Sequence, residues 1–296
     1  MNPYERFVSE LSRLMEQAQG FPLGGYPGLA QKTSPSIGKS ASASPARALI
    51  FSPHPDDEVI IGALPLRLLR ERNWAVTNVA VTLGSNSARQ QERWQELGAC
   101  CGQIGFDLVA AAAKGLEGVN LDTRASRPNL WRQSVASITE VLRAHQPRVI
   151  FFPHDDDWNS THIGTHHLVL DALTQIGVPF ECVAVETEFW GAMKSPNLLV
   201  ESSQRDLIDL ITALSCHVGE VKRNPYHLRL PAWLMDNVRR GGELVGGQGG
   251  AAPDFLFGTL YRVRRWRGGA LEDVLGKGRF LCQRDDVGAF LESLLT

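Results

Sequence analysis

The chain has 296 residues, 43% of them hydrophobic and 21% charged, with a net charge of −2 at pH 7. That length supplies one large core with room for appendages. The near balance of charge excludes a polybasic nucleic-acid or membrane-surface protein, and no apolar run approaches the roughly 20 residues needed to cross a bilayer.

The first twenty residues carry acids and lack an apolar h-region, so no signal peptide is expected and a soluble, cytoplasmic protein is the default reading. Residues 4–18 place Phe7, Leu11, Leu14 and Met15 at helical spacing. Gly- and Ser-rich, Pro-punctuated sequence follows from Gly20 to about Ser44 and reads as an arm wrapping the core or a mobile linker. From Ala46 strands and helices alternate. ARALIFSP, AVTNVAVTL, DLVAAAA, RVIFFP and PFECVAVE read as strands. Glu58–Arg72, Arg89–Ile104, Leu130–His145 and His162–Ile176 read as the helices between them.

Apolar strands separated by amphipathic helices indicate βαβ units, hence an α/β fold with a mostly parallel sheet covered by helices on both faces. After Gln204 a helix over Asp206–Leu214 is predicted, then Pro-rich RNPYHLRLPAWL. RRGGELVGGQGGAAPDF, with six glycines in residues 241–250, reads as a loop serving as a lid or a subunit contact. A strand over Leu256–Val263, a basic turn and a helix over Asp285–Leu295 finish the chain, and the arginines at 262, 264, 265 and 267 read as a solvated surface. Three regions are expected: an N-terminal helix and arm (1–45), a core (46–220) and a C-terminal Pro/Gly-rich extension packed on it (221–296). Cys100, Cys101, Cys182, Cys216 and Cys282 form no CxxC pair and suit reduced, buried thiols.

Two clusters stand where strands end, which is where open α/β sheets place their ligands. The first is Ser52-Pro53-His54-Pro55-Asp56-Asp57-Glu58. Either aspartate alone reads as a helix cap. Three consecutive acids beside a histidine repel one another unless a cation sits among them, so a divalent metal stands against a capping cluster. The second runs from His154 to His167 and holds four of the chain's eight histidines and three aspartates in fourteen residues. Two imidazoles and one carboxylate with an open position suit a catalytic metal.

HPDDE at a strand-to-helix junction resembles the signature of the PIG-L (LmbE-like) deacetylases, Rossmann-like and mostly zinc-dependent enzymes that hydrolyse N-acetyl groups on glucosamine-containing compounds. The resemblance covers roughly residues 46–220. It implies His54 and Asp57 as metal ligands and Asp56 as general base. The family's third ligand ends a HxDH segment, which matches Asn159-Ser160-Thr161-His162, so His162 is the third ligand and His166 the second choice. The family's oxyanion-stabilising histidine is replaced by Asn159, which can donate a hydrogen bond but carries no positive charge. Arg93, in an RxxEL-like helix, is expected at the sugar, against the alternative of a solvated ion-paired face. His217, in an ALxxH-like segment, is expected near the catalytic groups, against the alternative of a helix C-cap. Glu186, Glu188 and Trp190 follow a strand end and are expected to line the pocket, with His166 and Glu188 as substrate contacts. Gly84-Ser85-Asn86 stands where the family commonly has Glu after the glycine.

The resemblance implies Zn2+, with Fe2+ or another divalent ion as an alternative, and a small N-acetylated amino sugar or glycoconjugate as substrate, with no nucleic acid and no membrane partner. A homo-oligomer is left open. The rival readings are a non-catalytic, metal-containing carbohydrate-binding module and a non-haem Fe(II) enzyme.

Overall fold

The structure, a computed structural model, describes residues 2–26 and 45–296, so the expected arm from 27 to 44 lies outside the described residues. Helix α1 (Pro3–Ala18) begins where the Asn2 side chain caps the Tyr4 N–H. The sheet region then opens with β1 (Arg47–Ser52), α2 (Asp57–Ile60), α3 (Leu64–Arg72), β2 (Ala75–Ala80), α4 (Gln90–Ile104) and β3 (Asp107–Ala110). It continues through α5 (Leu121–Ser126), α6 (Pro128–His145), β4 (Val149–Pro153), α7 (Ser160–Ile176), β5 (Cys182–Thr187) and β6 (Leu198–Glu201). The remainder is α8 (Gln204–Leu214), α9 (Val218–Arg223), α10 (Leu230–Leu244), β7 (Gly258–Arg267), β8 (Ala270–Asp273), β9 (Arg279–Leu281) and α11 (Val287–Ser293).

Strands β3-β2-β1-β4-β5-β7-β6-β9 form one sheet, with β8 paired to β7. The pairs from β3 to β5 are all parallel, while β7 runs antiparallel to both β5 and β6. This is the expected Rossmann-like, mostly parallel α/β sheet. Alternate residues of β1 feed two cores: Ile50 packs with Leu64, Leu97 and Leu210, and Leu49 and Phe51 pack with Ile138, Leu168 and Leu173. Each such fully buried side chain contributes about 1.5–3 kcal/mol. The order of the strands reverses between β1 and β4, which pair side by side. A ligand crevice is expected outside the carboxyl ends at that reversal. Among the described residues no helix is long and apolar enough to cross a membrane.

Three expectations are corrected and one strand is added. The single helix expected over Glu58–Arg72 is two, because Gly62 sits at φ +82° and a Cβ there would come within 2.0 Å of Thr259 Oγ1. The Gly-rich stretch is helical as far as Leu244, since α10 runs through Gly241 and Gly242. Those glycines let the helix lie close to its neighbours: a Cβ on Gly241 would meet the Leu199 side chain at 2.6 Å, and one on Gly242 the Ala252 backbone at 2.8 Å. Close packing here outweighs the low helix propensity of glycine. The basic turn is instead the second half of β7, and its arginines are ion-paired, with Arg267 alone exposed. Arg262 and Arg264 hold the fully buried Glu186, and Arg265 pairs with Glu272. Strand β6, which carried no clear signal, completes the sheet beyond β7.

Candidate metal and catalytic site

Strand β1 is buried from its second residue and hands over to a rigid Pro53-His54-Pro55 turn. Thr82, after β2, donates its hydroxyl to the Pro53 carbonyl (2.7 Å), and Arg93 of α4 donates to the Pro55 carbonyl (2.9 Å). Asp56 takes φ 116°, an unusual backbone for a residue with a Cβ and worth about 1–3 kcal/mol of strain. Its N–H donates to Glu58 Oε2 (2.9 Å). Asp57 opens α2, fully buried, and its Oδ2 accepts the His54 N–H (2.8 Å).

The neighbouring strand β4 supplies the other half. Asn159 caps α7, its Oδ1 accepting the Thr161 N–H, so His162 stands in the first turn. His54 Nδ1, Asp57 Oδ2 and His162 Nε2 form a triangle with edges of 3.2, 3.4 and 3.5 Å. Ligand atoms about 2.0–2.1 Å from a tetrahedral ion lie roughly 3.3 Å from one another, so the triangle has the dimensions of three such ligands. The other carboxylate oxygen, Asp57 Oδ1, is buried with no hydrogen-bond partner, so a cation held by this carboxylate would satisfy it as well. His162 Nδ1 lies 3.2 Å from Asp157 Oδ2, and both side chains are fully buried. A carboxylate on the far ring nitrogen leaves Nε2 as the free lone pair and fixes the ring, the arrangement of metal-binding histidines. These residues could therefore hold a metal ion.

The electrostatics point the same way. Burial lowers the His162 pKa, but Asp57 and Asp157 outweigh it and raise the imidazole to about 9. Burial raises Asp57, and His162 and His54 overcome it and hold the carboxyl well below the usual range. Both shifts mark a place that favours positive charge. Asp56 behaves oppositely. Burial, with Asp57 beside it, pushes it up to about 7 against the pull of His217, Arg93 and Tyr226. Neighbouring aspartates thus hold different affinities for a proton, the pattern of separated ligand and acid–base duties.

A polar cleft of about 650 Å³ lies against His54 and is lined by Gln90, Asn120, Asn159, Ser160 and Thr161 among others. Of the sequence-derived candidates, His54, Asp57 and His162 come together, Asp56 lies beside them, and Asn159 stands in the cleft wall. The others engage protein groups. Besides the Pro55 carbonyl, Arg93 has Glu220 at 3.8 Å. His166 lies against the Pro153 carbonyl (2.9 Å) and Glu186 (3.5 Å) and stays outside the triangle. Glu188 is clamped by Arg240 at 2.6 and 3.1 Å. His217, fully buried, sits 2.7 Å from Glu58 Oε1. Glu186 is held by Arg262 and Arg264 and is not among the cleft-lining residues.

Two residues of the site escaped the reading of the sequence. Asp157 was visible only as one of three adjacent aspartates, and the spacing to His162 was its one signal. Tyr226, whose hydroxyl donates to Asp56 Oδ2 (2.5 Å), lies 170 residues away in a Pro-rich stretch without any local mark.

Residues 49–173 match the model of the PIG-L family, described as GlcNAc-PI de-N-acetylase, and the resemblance carried by HPDDE is shown over that span. No curated protein gives a significant match. Several solved structures share the fold at low identity. A conserved protein, TT1542, from Thermus thermophilus is 17% identical with a TM-score of 0.56, over 73% of this chain and 93% of that one. N,N'-diacetylchitobiose deacetylase from Pyrococcus horikoshii is 16% identical with a TM-score of 0.54, over 82% and 90%. GalB, the 4-carboxy-2-hydroxymuconate hydratase from Pseudomonas putida KT2440, is 19% identical with a TM-score of 0.52, over 74% and 95%. At these identities the likeness is one of fold.

Proposed function

We propose, from the premise that residues 49–173 form a PIG-L core, that this chain is a zinc-dependent hydrolase that removes an N-acetyl group from an amino-sugar-type substrate. The observation that carries the reading is the His54–Asp57–His162 triangle at the edge of a polar cleft, with Asp56 beside it. A cleft of about 650 Å³ is within the range of ligand sites, and its amide and hydroxyl lining suits a polyol.

His54, Asp57 and His162 would hold the ion, which when bound polarises the amide carbonyl and acidifies water. Asp56 takes the proton of the attacking water and delivers it to the amine as the C–N bond breaks. Tyr226 donates to Asp56 Oδ2 and keeps the carboxylate oriented. The Asn159 amide, in the cleft wall, donates to the carbonyl oxygen as negative charge develops there. Arg93, through the Pro55 carbonyl, and His217, through Glu58 and the Asp56 N–H, hold the HPDDE turn in its strained shape. His166 and Glu188 are assigned to the walls behind the site, where each has a protein partner.

The test is a screen of N-acetylated amino sugars, free and phosphorylated, for release of primary amine, with bound metal measured by mass spectrometry. Amine release that a chelator abolishes and added Zn2+ restores is the expected result. A protein that binds metal and sugar while releasing no amine would be a binding module, and the hydrolase reading would fall.

A further inference from the structure

A second cavity, of about 370 Å³, shares no lining residue with the polar cleft, but two of its walls touch the cluster at the site. Phe189, Trp190, Tyr226 and Trp233 wall it, the Trp190 ring centroid standing 5.7 Å from Tyr226 and 6.2 Å from Trp233. Two of these residues also touch the catalytic cluster. Tyr226 donates to Asp56, and the Phe189 ring meets His162 edge-on with centroids 4.8 Å apart.

Three of the four charged side chains in the wall engage one another. Arg240 clamps Glu188 and lies 3.3 Å from Asp236, and Glu188 also accepts the Met193 N–H. Arg229 is exposed to solvent. Arg240, Glu188 and Asp236 therefore spend their hydrogen bonds on one another, and the four rings make up the apolar part of the wall, with the Arg229 cation at its exposed rim. An open aromatic surface of this kind is unfavourable in water and suits an apolar occupant. Trp190, 38% exposed, is not committed to the core.

A scissile amide has two ends. The polar cleft beside His54 suits the sugar amine, and the aromatic cavity beside Phe189 and Tyr226 suits the other end, the acyl group. An acetyl methyl would leave most of it empty. We propose that the cavity receives a medium-length apolar acyl chain, so that N-acylated amino sugars with chains longer than acetyl are the preferred substrates; this rests on the hydrolase reading above. The reaction is the same hydrolysis. The oxygen of water bonds to the acyl carbon, the C–N bond breaks, and the nitrogen takes its proton by way of Asp56, leaving a fatty acid and a free amine.

The experiment compares N-acetyl-, N-butanoyl- and N-hexanoylglucosamine as substrates of the full metal-loaded chain, reading amine release. Each buried methylene is worth about fourfold, so the hexanoyl-to-acetyl ratio of kcat/KM is expected to reach roughly 10². Trp233→Ala should collapse that ratio toward unity. Met235→Ala, an exposed position on the same helix outside the cavity wall, should leave it unchanged. Binding of the same compounds is followed by calorimetry. Hydrolysis with no preference for chain length overturns this inference and leaves the hydrolase reading standing. Tighter binding of the hexanoyl compound that Trp233→Ala abolishes, without amine release, upholds the cavity assignment and removes the hydrolase reading. Neither hydrolysis nor chain-dependent binding overturns both.

Discussion

Two clusters of metal-ligating side chains meet at a single peptide bond: His54, Asp57 and His162 on one side, and Glu58, Cys100 and His217 on the other. By residue type either could take a metal. The hydrogen bonding of their carboxylates separates them, although His217 Nδ1 in the second cluster is also without a partner. Glu58 is satisfied at both oxygens, by His217 Nε2 and by the Asp56 N–H, whereas Asp57 Oδ1 has no partner. Burial and the adjacent Glu58 raise the Cys100 thiol well above its usual range, which keeps it protonated and a poor ligand. All three members of the second cluster are buried, while His54 reaches the wall of the polar cleft. Donor chemistry alone does not make a metal site. An unpartnered carboxylate oxygen and access from the polar cleft favour the first cluster.

That contrast can be broken most directly at Asp57. Asp57→Asn is expected to leave the protein without bound metal and without amine release, whereas wild-type metal content in this variant would move the ion elsewhere. Asp56→Asn sharpens the division of labour between adjacent carboxylates. It should keep the full metal content yet lower kcat by about 10²–10⁴-fold, the range for loss of a general acid–base group. Near-normal turnover would remove Asp56 from the chemistry. Glu58→Gln probes the second cluster. Raised by Glu58 against the effect of burial, His217 favours its charged form, and removing its partner leaves a buried charge. About 3–5 kcal/mol of stability should be lost in denaturant unfolding, with metal content unaltered. A fall in metal content without loss of stability would make Glu58 a ligand.

Much of this arrangement was legible from local pattern. The βαβ succession from Ala46 to Thr187 and both strand-end clusters could be read because apolar periodicity and histidine–carboxylate crowding are properties of short windows. Residues acting across long separations were not legible. Tyr226 reaches Asp56 and Arg240 reaches Glu188 only after α10 has packed on the sheet. The Gly-rich stretch misled because glycine lowers helix propensity locally, and the reason it is tolerated, close approach to Leu199 of β6 and to the Ala252 backbone, exists only once the chain has folded.

The amino-acid sequence by itself determined the layered α/β architecture and the chemical character of the turn at His54–Glu58, because both follow from residue type at fixed short spacing. Tertiary structure alone decided which carboxylate keeps a free oxygen, which histidine is held by Asp157 and what walls the aromatic cavity. Those outcomes depend on which groups are brought within about 3 Å of one another, the reach of a hydrogen bond.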